Sequence, residues 1–331
     1  MRIANKNKSN KKSFILKPNK LLGQNFLRDK NVLAKIIQAA DLKAGERVLE
    51  IGPGLGALTE ELAKNACRVI AVEKDKRLAV QLKNKFQNNQ NVEIIQDDIL
   101  SFLRKQESRS WIPAQGRDDK FSSSPNYKVI ANIPYYLTSH LIRLLLESAN
   151  PPQDIVLLIQ KEVAQRICPP RRARSSGEAG AKPPKMSLLA VSVQFYAQPK
   201  IISYVPKGAF WPKPKVDSAI IRITPHNSPS AAKRPPYNSP PYERVAGGDL
   251  ERNEILPHPP FTKKEIERFF RLVRAGFAHP RKQLLNNLSK GLKLKREKII
   301  KVLRSANIEP KQRAETLMLN DWLNLTKLIQ P

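Results

Sequence analysis

Four consecutive residues, Asn132-Ile133-Pro134-Tyr135, end an apolar run, Val129-Ile130-Ala131. Their types suit one kind of chemistry. An exocyclic amine on a flat heteroaromatic ring is a poor nucleophile, because its lone pair is delocalised into the ring. Two acceptors that bind its N–H groups favour a pyramidal nitrogen with a localised lone pair. The side-chain carbonyl of Asn132 and the backbone carbonyl of Ile133 are the candidate pair. Pro134 has a fixed φ, which sets the aim of that carbonyl. Tyr135 offers a ring on which a base can stack, worth about 1–3 kcal/mol. A base gripped this way must first leave its own stack. A second ring would close its other face, and Phe210, in the Pro-rich loop 205–212, is the candidate. Simple packing in the core is the plainer reading of either ring.

Upstream lies a Gly-rich turn, Glu50-Ile51-Gly52-Pro53-Gly54-Leu55-Gly56. Gly52 and Gly54 let the backbone bend sharply and approach a ligand, where a Cβ would obstruct. With Ala57 the turn also fits the loose dinucleotide form G-x-G-x-x-A. By itself it leaves a nicotinamide dinucleotide, S-adenosyl-L-methionine or no ligand open. Glu73, about 20 residues further on, can accept hydrogen bonds from both hydroxyls of a ribose. It also reads as a solvated acid beside Lys74 and Lys76. Asp98 can accept from an adenine amine, or simply start a turn. Taken together, the two turns point to a methyl group moved onto a planar amine. In-line transfer from a sulfonium needs approach geometry and a dry pocket rather than a metal. The four His show no triad logic, and the two cysteines, Cys67 and Cys168, form no metal-binding pattern.

Strands must carry these residues. The sequence predicts strands at Arg47–Ile51, Arg68–Val72, Val92–Ile95, Lys128–Asn132 and Asp154–Ile159. Helices are expected near residues 32–37, 57–65, 78–86 and 140–148. This alternation means a parallel α/β sheet. Ligands of such sheets sit beyond the carboxyl ends of the strands, where Glu50, Glu73, Asp98 and Asn132 fall. Leu188–Ala197 and Val216–Ile223 also read as strands. Residues 261–331 have helical apolar spacing, Phe269, Phe270, Leu272, Val273 and Phe277 among them, which predicts a small all-α domain. Residues 226–260 read as an irregular insertion or linker. Stretches at about 104–126 and 169–180 interrupt the 21–225 domain in the same irregular way. All three read as expansions looped out from the surface.

The 59 Lys and Arg outnumber the 29 Asp and Glu, for a net charge of +30. A balance this basic points to a polyanion, nucleic acid before membrane. Residues 1–20 hold seven Lys and Arg and no acid, and read as a flexible tail; residues 261–311 hold fifteen Lys and Arg against four Glu. No apolar run approaches the ~20 residues of a membrane span, and the N-terminus lacks a secretory apolar region. The chain reads as cytoplasmic and monomeric.

The motifs together resemble one family, the small-subunit ribosomal RNA adenine dimethyltransferases. The resemblance is carried by Leu22-Gly23-Gln24-Asn25-Phe26-Leu27, residues 50–56, Val72-Glu73, Asp97-Asp98, residues 132–135, Gln160-Lys161-Glu162-Val163 and Pro214-Lys215-Val216-Asp217-Ser218-Ala219. Residues 272–277, 281–284 and 286–288 continue it. It implies a Rossmann-like methyltransferase domain with a helical C-terminal RNA-binding domain and S-adenosyl-L-methionine as donor. It also implies dimethylation of N6 on two adjacent adenosines in the 3′-terminal hairpin loop of 16S rRNA, with an immature 30S-type subunit as partner. Asn25 and Leu27 would then close over the cofactor, Gly52 would underlie its methionine part, Glu73 would hold the ribose and Asp98 the adenine. Asn132 would lie between cofactor and target. The rivals are a large-subunit rRNA dimethyltransferase of the macrolide-resistance type, a non-catalytic assembly factor and a nicotinamide-dependent oxidoreductase.

Overall fold

The computed structural model describes residues 17–19, 22–65, 68–107, 127–148, 150–168, 185–226 and 261–329, apart from the side chains of 106 and 107. Most of the basic tail, Cys67 and nearly all of the three irregular stretches lie outside these residues. The exceptions are His226 and residues 104–107. Residues 104–107 are the end of a helix, Ile99–Glu107, rather than irregular chain.

Five strands run parallel: β2 (Arg47–Ile51), β3 (Arg68–Glu73), β4 (Val92–Gln96), β5 (Tyr127–Asn132) and β6 (Asp154–Gln160). The sheet has seven strands in the order β4-β3-β2-β5-β6-β9-β7. The last two, β9 (Ser218–Pro225) and β7 (Ala197–Val205), are antiparallel. Central strands are apolar on both faces because helices cover both. One face packs Leu49, Val129, Leu157 and Ile221 against α5 (Thr138–Glu147). The other packs Val48, Ile130, Leu158 and Ile220 against α1 (Lys30–Ala40). Asp29 caps α1 by accepting from the amides of Asn31 and Val32. The remaining helices of this part are α2 (Ala57–Lys64), α3 (Lys76–Lys85), α4 (Ile99–Glu107) and α6 (Lys161–Ile167).

A second expectation needs correction. Leu188–Ala197 was expected as a strand, and the structure has a helix there, α7 (Leu188–Tyr196), capped by Ser187 accepting from the amide of Ala190. The segment is apolar all round, so periodicity cannot tell strand from helix. It folds as a helix packed between two cores: Ala190 and Val191 belong to that of the C-terminal helices, and Val193 to that of the sheet. The strand lies just after it, as β7, where Pro199 makes the sequence look unsuited to pairing. An edge strand tolerates that proline.

The C-terminal part packs α8 (Lys263–Phe277), α9 (Leu284–Leu292), α10 (Arg296–Ser305) and α11 (Leu319–Leu328) around Phe269, Leu288 and the fully buried Trp322. Thr262 and Glu265 form a reciprocal capping box at the start of α8. Gly276 has no Cβ, so the Trp322 ring packs directly on the α8 backbone.

Candidate active site

The carboxyl ends of β2, β3 and β5 open into one cleft, with the loop after β4 at its side. Residues 22–27 form a strap along its rim. Within it β1 (Phe26–Leu27) pairs antiparallel with β8 (Phe210–Trp211). Of the residues singled out from sequence, Asn25, Leu27, Glu50, Gly52, Gly54, Glu73, Asp98 and Asn132 through Tyr135 all line this cleft. Phe210 does not. It is 5% exposed and packs with Leu27, Val205, Ala209 and Ile220. Of its two sequence readings, packing in the core is the one that matches this position.

The glycine turn divides its labour. Gly52 has φ +66°, and a Cβ there would meet nothing nearer than the Asn132 backbone oxygen at 4.0 Å. The backbone at Gly52 is therefore bare toward the cleft. A Cβ on Gly54 would instead lie 2.9 Å from the Phe26 ring. The close approach expected of a ligand at Gly54 is thus taken up by the strap. The Gly54 amide donates to Glu73 Oε2 at 3.1 Å.

Glu73 is held from both sides, since the Asp75 amide donates to its Oε1 at 2.8 Å. Burial pushes its carboxyl above the ordinary range, and the two amide bonds oppose that rise. Each carboxylate oxygen retains lone-pair capacity for a ribose hydroxyl. Glu50 is 1% exposed, and burial pushes its carboxyl up to about 8. Its Oε2 makes no well-formed hydrogen bond, although the Thr59 hydroxyl lies near enough to oppose that rise. A buried polar atom without a partner costs stability, and at a cleft wall it marks a place for a ligand donor. Asp98 caps α4 through Oδ1, which accepts from the Leu100 amide at 2.9 Å. Lys74 pairs with its Oδ2 at 2.8 Å. Burial alone would raise the Asp98 carboxyl, but Lys74 and the capping amides hold it below its usual value.

At the reaction end, Asn132 Nδ2 donates to the Asn25 backbone carbonyl at 2.9 Å. That bond occupies the donor side of the amide and leaves Oδ1 as the free acceptor. Ile133 is buried beside it and Pro134 has φ −57°. Tyr135 is anchored through its hydroxyl, 2.9 Å from the Ser218 hydroxyl.

Sequence reasoning gave no independent role to the strap's fastening. Gln24 Nε2 donates to Asp75 Oδ2 at 3.0 Å, and Gln24 Oε1 accepts from the Asn19 amide at 2.7 Å. Asp75 also caps α3, and Arg77 beside it holds its carboxyl down at about 2. Asp75 had a legible signal, an acid directly before a helical run. Gln24 had none outside the resemblance.

A doubly wound mixed sheet, five parallel strands with acids at or near their carboxyl ends and two antiparallel strands at one edge, is an architecture that Rossmann-like S-adenosylmethionine-dependent methyltransferases use. Two solved structures share the fold at 24% identity. The 23S rRNA methyltransferase ErmE has a TM-score of 0.59 over 92% of this chain and 99% of its own. A dimethyladenosine transferase from Plasmodium falciparum has 0.57 over 91% and 95%. The chain belongs to the Ribosomal RNA adenine dimethylase family, whose sequence profile matches residues 15–239. It is similar to the Ribosomal RNA small subunit methyltransferase A of Dehalococcoides mccartyi strain CBDB1, 38% identical over 94% of this chain and 88% of that one. It is likewise similar to that of Geobacillus thermodenitrificans, at 35% over 94% and 91%. The enzyme is thus an S-adenosylmethionine-dependent rRNA adenine dimethyltransferase. The bare backbone at Gly52 and the unpartnered Oε2 of Glu50 fit that cofactor.

Proposed function

We propose that this enzyme dimethylates N6 of two adjacent adenosines in the 3′-terminal hairpin loop of 16S rRNA, acting as a cytoplasmic monomer on an immature 30S-type subunit. The names of its relatives support the small-subunit assignment. One observation carries the chemistry: the Asn25 carbonyl holds the Asn132 amide by its nitrogen, so Oδ1 is left to accept.

In this reading Asn25, Leu27, Gly52, Glu73, Asp98 and Asn132 hold the cofactor. Glu73 takes the ribose, Asp98 the adenine, and Gly52 lies under the methionine part. Glu50 offers its free Oε2 from below, while Gly54 keeps Glu73 aimed. Bound S-adenosyl-L-methionine supplies an electrophilic methyl on sulfur. Asn132 Oδ1 and the Ile133 carbonyl accept the two N–H bonds of the flipped adenine and localise the N6 lone pair toward that methyl. Tyr135 supports one face of the base, its tilt fixed by Ser218. Phe210 backs the strap from the core rather than reaching the base. As the N–C bond forms, the methyl–sulfur bond breaks and the sulfur keeps its electron pair, while N6 becomes cationic and gives up one proton to water. The monomethylated nitrogen keeps one N–H, so one acceptor of the pair still holds it for the second transfer. Residues 261–331 are the RNA-binding domain.

The test is transfer of labelled methyl to small subunits lacking the modification, with the product mapped. Label on two adjacent adenosines near the 3′ end is expected. Label on large-subunit rRNA offered alongside would overturn the small-subunit assignment. Tight particle binding without transfer would overturn the catalytic one.

A further inference from the structure

Just beyond the cleft, at the same end of the sheet, a tyrosine and a lysine stand together with no part in the chemistry above. Tyr204 lies on the edge strand β7 and is 50% exposed. Lys161 opens α6, and its Nζ lies 5.2 Å from the centre of the Tyr204 ring. Among the described residues, Nζ has no carboxylate or hydrogen-bond partner. The nearby acid, Asp217, is engaged: its Oδ1 accepts from the Lys207 amide at 3.0 Å, and its backbone oxygen accepts from the Lys161 amide. Glu162, the next residue on α6, is exposed.

Both groups adjoin the proposed base grip. The Tyr135 hydroxyl bonds to Ser218. Ser218 pairs across the sheet with Gln160 on one side and Val205 on the other. Lys161 and Tyr204 are their immediate neighbours in the chain. Adjacent strands are ~4.8 Å apart, and Tyr204, which pairs with Ala219, stands on the sheet face covered by α5, the helix that follows Tyr135, so the pair lies within reach of a nucleotide joined to one held against Tyr135. A half-exposed ring beside a free cation matches a base joined to a phosphate. Rings of this kind stack on any base, because every base has a π-face. A loop adenosine that must leave its stack to be methylated brings unpaired neighbours with it.

We propose that Tyr204 and Lys161 form a subsite for an unpaired nucleotide flanking the target adenosine, its base stacked on Tyr204 and its phosphate paired with Lys161. This rests on the RNA-methylation reading above. The subsite gives the enzyme a second hold on the splayed loop, separate from the ring proposed to support the target base.

The experiment uses the full-length protein, saturated with S-adenosylhomocysteine for the binding measurements. Two RNA ligands are compared: undermethylated small subunits, and a synthetic hairpin whose loop holds two adjacent adenosines. Tyr204→Ala is expected to raise KM for subunits and Kd for the hairpin about tenfold, with cofactor affinity unchanged. Tyr204→Phe keeps the ring and should behave as wild type. Lys161→Gln should weaken hairpin binding and flatten its salt dependence by about 0.7 in slope. Tyr204→Trp should show indole quenching on hairpin addition that the wild type lacks. Wild-type KM and Kd for Tyr204→Ala would overturn the subsite. Weaker binding to the particle with unchanged binding to the hairpin would also overturn it, by making this face a contact for a ribosomal protein. If the wild type transfers no methyl to small subunits, the functional reading itself falls, and the hairpin measurements still decide the subsite.

Discussion

Around the cleft, the titratable groups are mainly acidic and withdrawn from water: Glu50 is 1% exposed and Glu73 6%. On the C-terminal helices charge is basic and turned outward, with Lys290, Lys293, Lys295, Lys298 and Lys301 all exposed. The two regions face different ligands. A small cofactor is recognised by a few acceptors whose strength depends on being dry. A polyanion is recognised by many cations that stay hydrated, each contributing a little through counterion release. A net charge of +30 therefore coexists with a catalytic cleft whose fixed charges are mainly carboxylates. Single substitutions in the cleft should act sharply and locally. Those on the helices should act weakly and in sum.

The contrast breaks most visibly at Asn132. Asn132→Ala removes one acceptor that localises the N6 lone pair, and the expected loss is about 10²–10³ in single-turnover rate, as for other preorganised polar groups. Affinity for S-adenosylhomocysteine, followed by calorimetry, should stay close to wild type, because Glu73, Asp98 and the turn at Gly52 carry most of the hold on the cofactor and Asn132 only borders it. Loss of both together would mean that Asn132 serves the cofactor first. Gly276→Ala drives a methyl group into the Trp322 ring. Overpacking of this kind costs roughly 1–3 kcal/mol, to be read from denaturant unfolding of the whole chain. Cofactor affinity measured in the native baseline should not move, because the damage is confined to the helical core.

Glu50 gives a pH-dependent form of the comparison. Its carboxyl titrates at about 8 in the folded protein, against about 4.3 for an ordinary Glu. The folded state therefore holds the proton more tightly than the unfolded chain does. The stability this confers is complete below the ordinary value and is lost as pH rises through about 8. Glu50→Gln should accordingly raise the melting temperature of the cofactor-free protein at pH 8.5 by a few degrees, about 2–4 °C for each kcal/mol in a chain of this size, and leave it nearly unchanged at pH 4. An equal shift at both pH values would assign the effect to packing. The smallest effects belong to the basic face. Lys295→Ala, Lys298→Ala and Lys301→Ala should each weaken RNA binding modestly and together flatten its salt dependence by up to about 2–3 units of slope. An unchanged slope would put the phosphate contacts elsewhere.

Much of this was legible because the relevant residues sit where local rules are strong. The parallel strands are short apolar runs with an acid or amide at or next to their carboxyl ends, and the structure begins and ends them within a residue of the expected positions. Capping at Asp29 follows from one side chain and the amides beyond it. What stayed hidden depends on packing between distant segments. Leu188–Tyr196 is a helix because two cores enclose it, which no window of sequence reports. Gly54 looks equivalent to Gly52 in the chain, yet faces Phe26 from a strand 28 residues earlier rather than open space. Phe210 stands beside the cleft in sequence logic, but its pairing with Leu27 turns its ring into the core. The bond from Gln24 to Asp75 spans 51 positions and left no mark in local pattern.

The helix at 188–196 has a mechanical meaning. Because Ala190 and Val191 are set in the helical core and Val193 in that of the sheet, the two parts cannot pivot about a loose joint without opening one interior or the other. If the basic helices grip the RNA as proposed, this shared beam turns the enzyme into a caliper of fixed span. A hairpin anchored at one jaw would present its loop to the other at a set distance. Which adenosines are modified would then be chosen by length and shape as much as by the identity of the bases beside them.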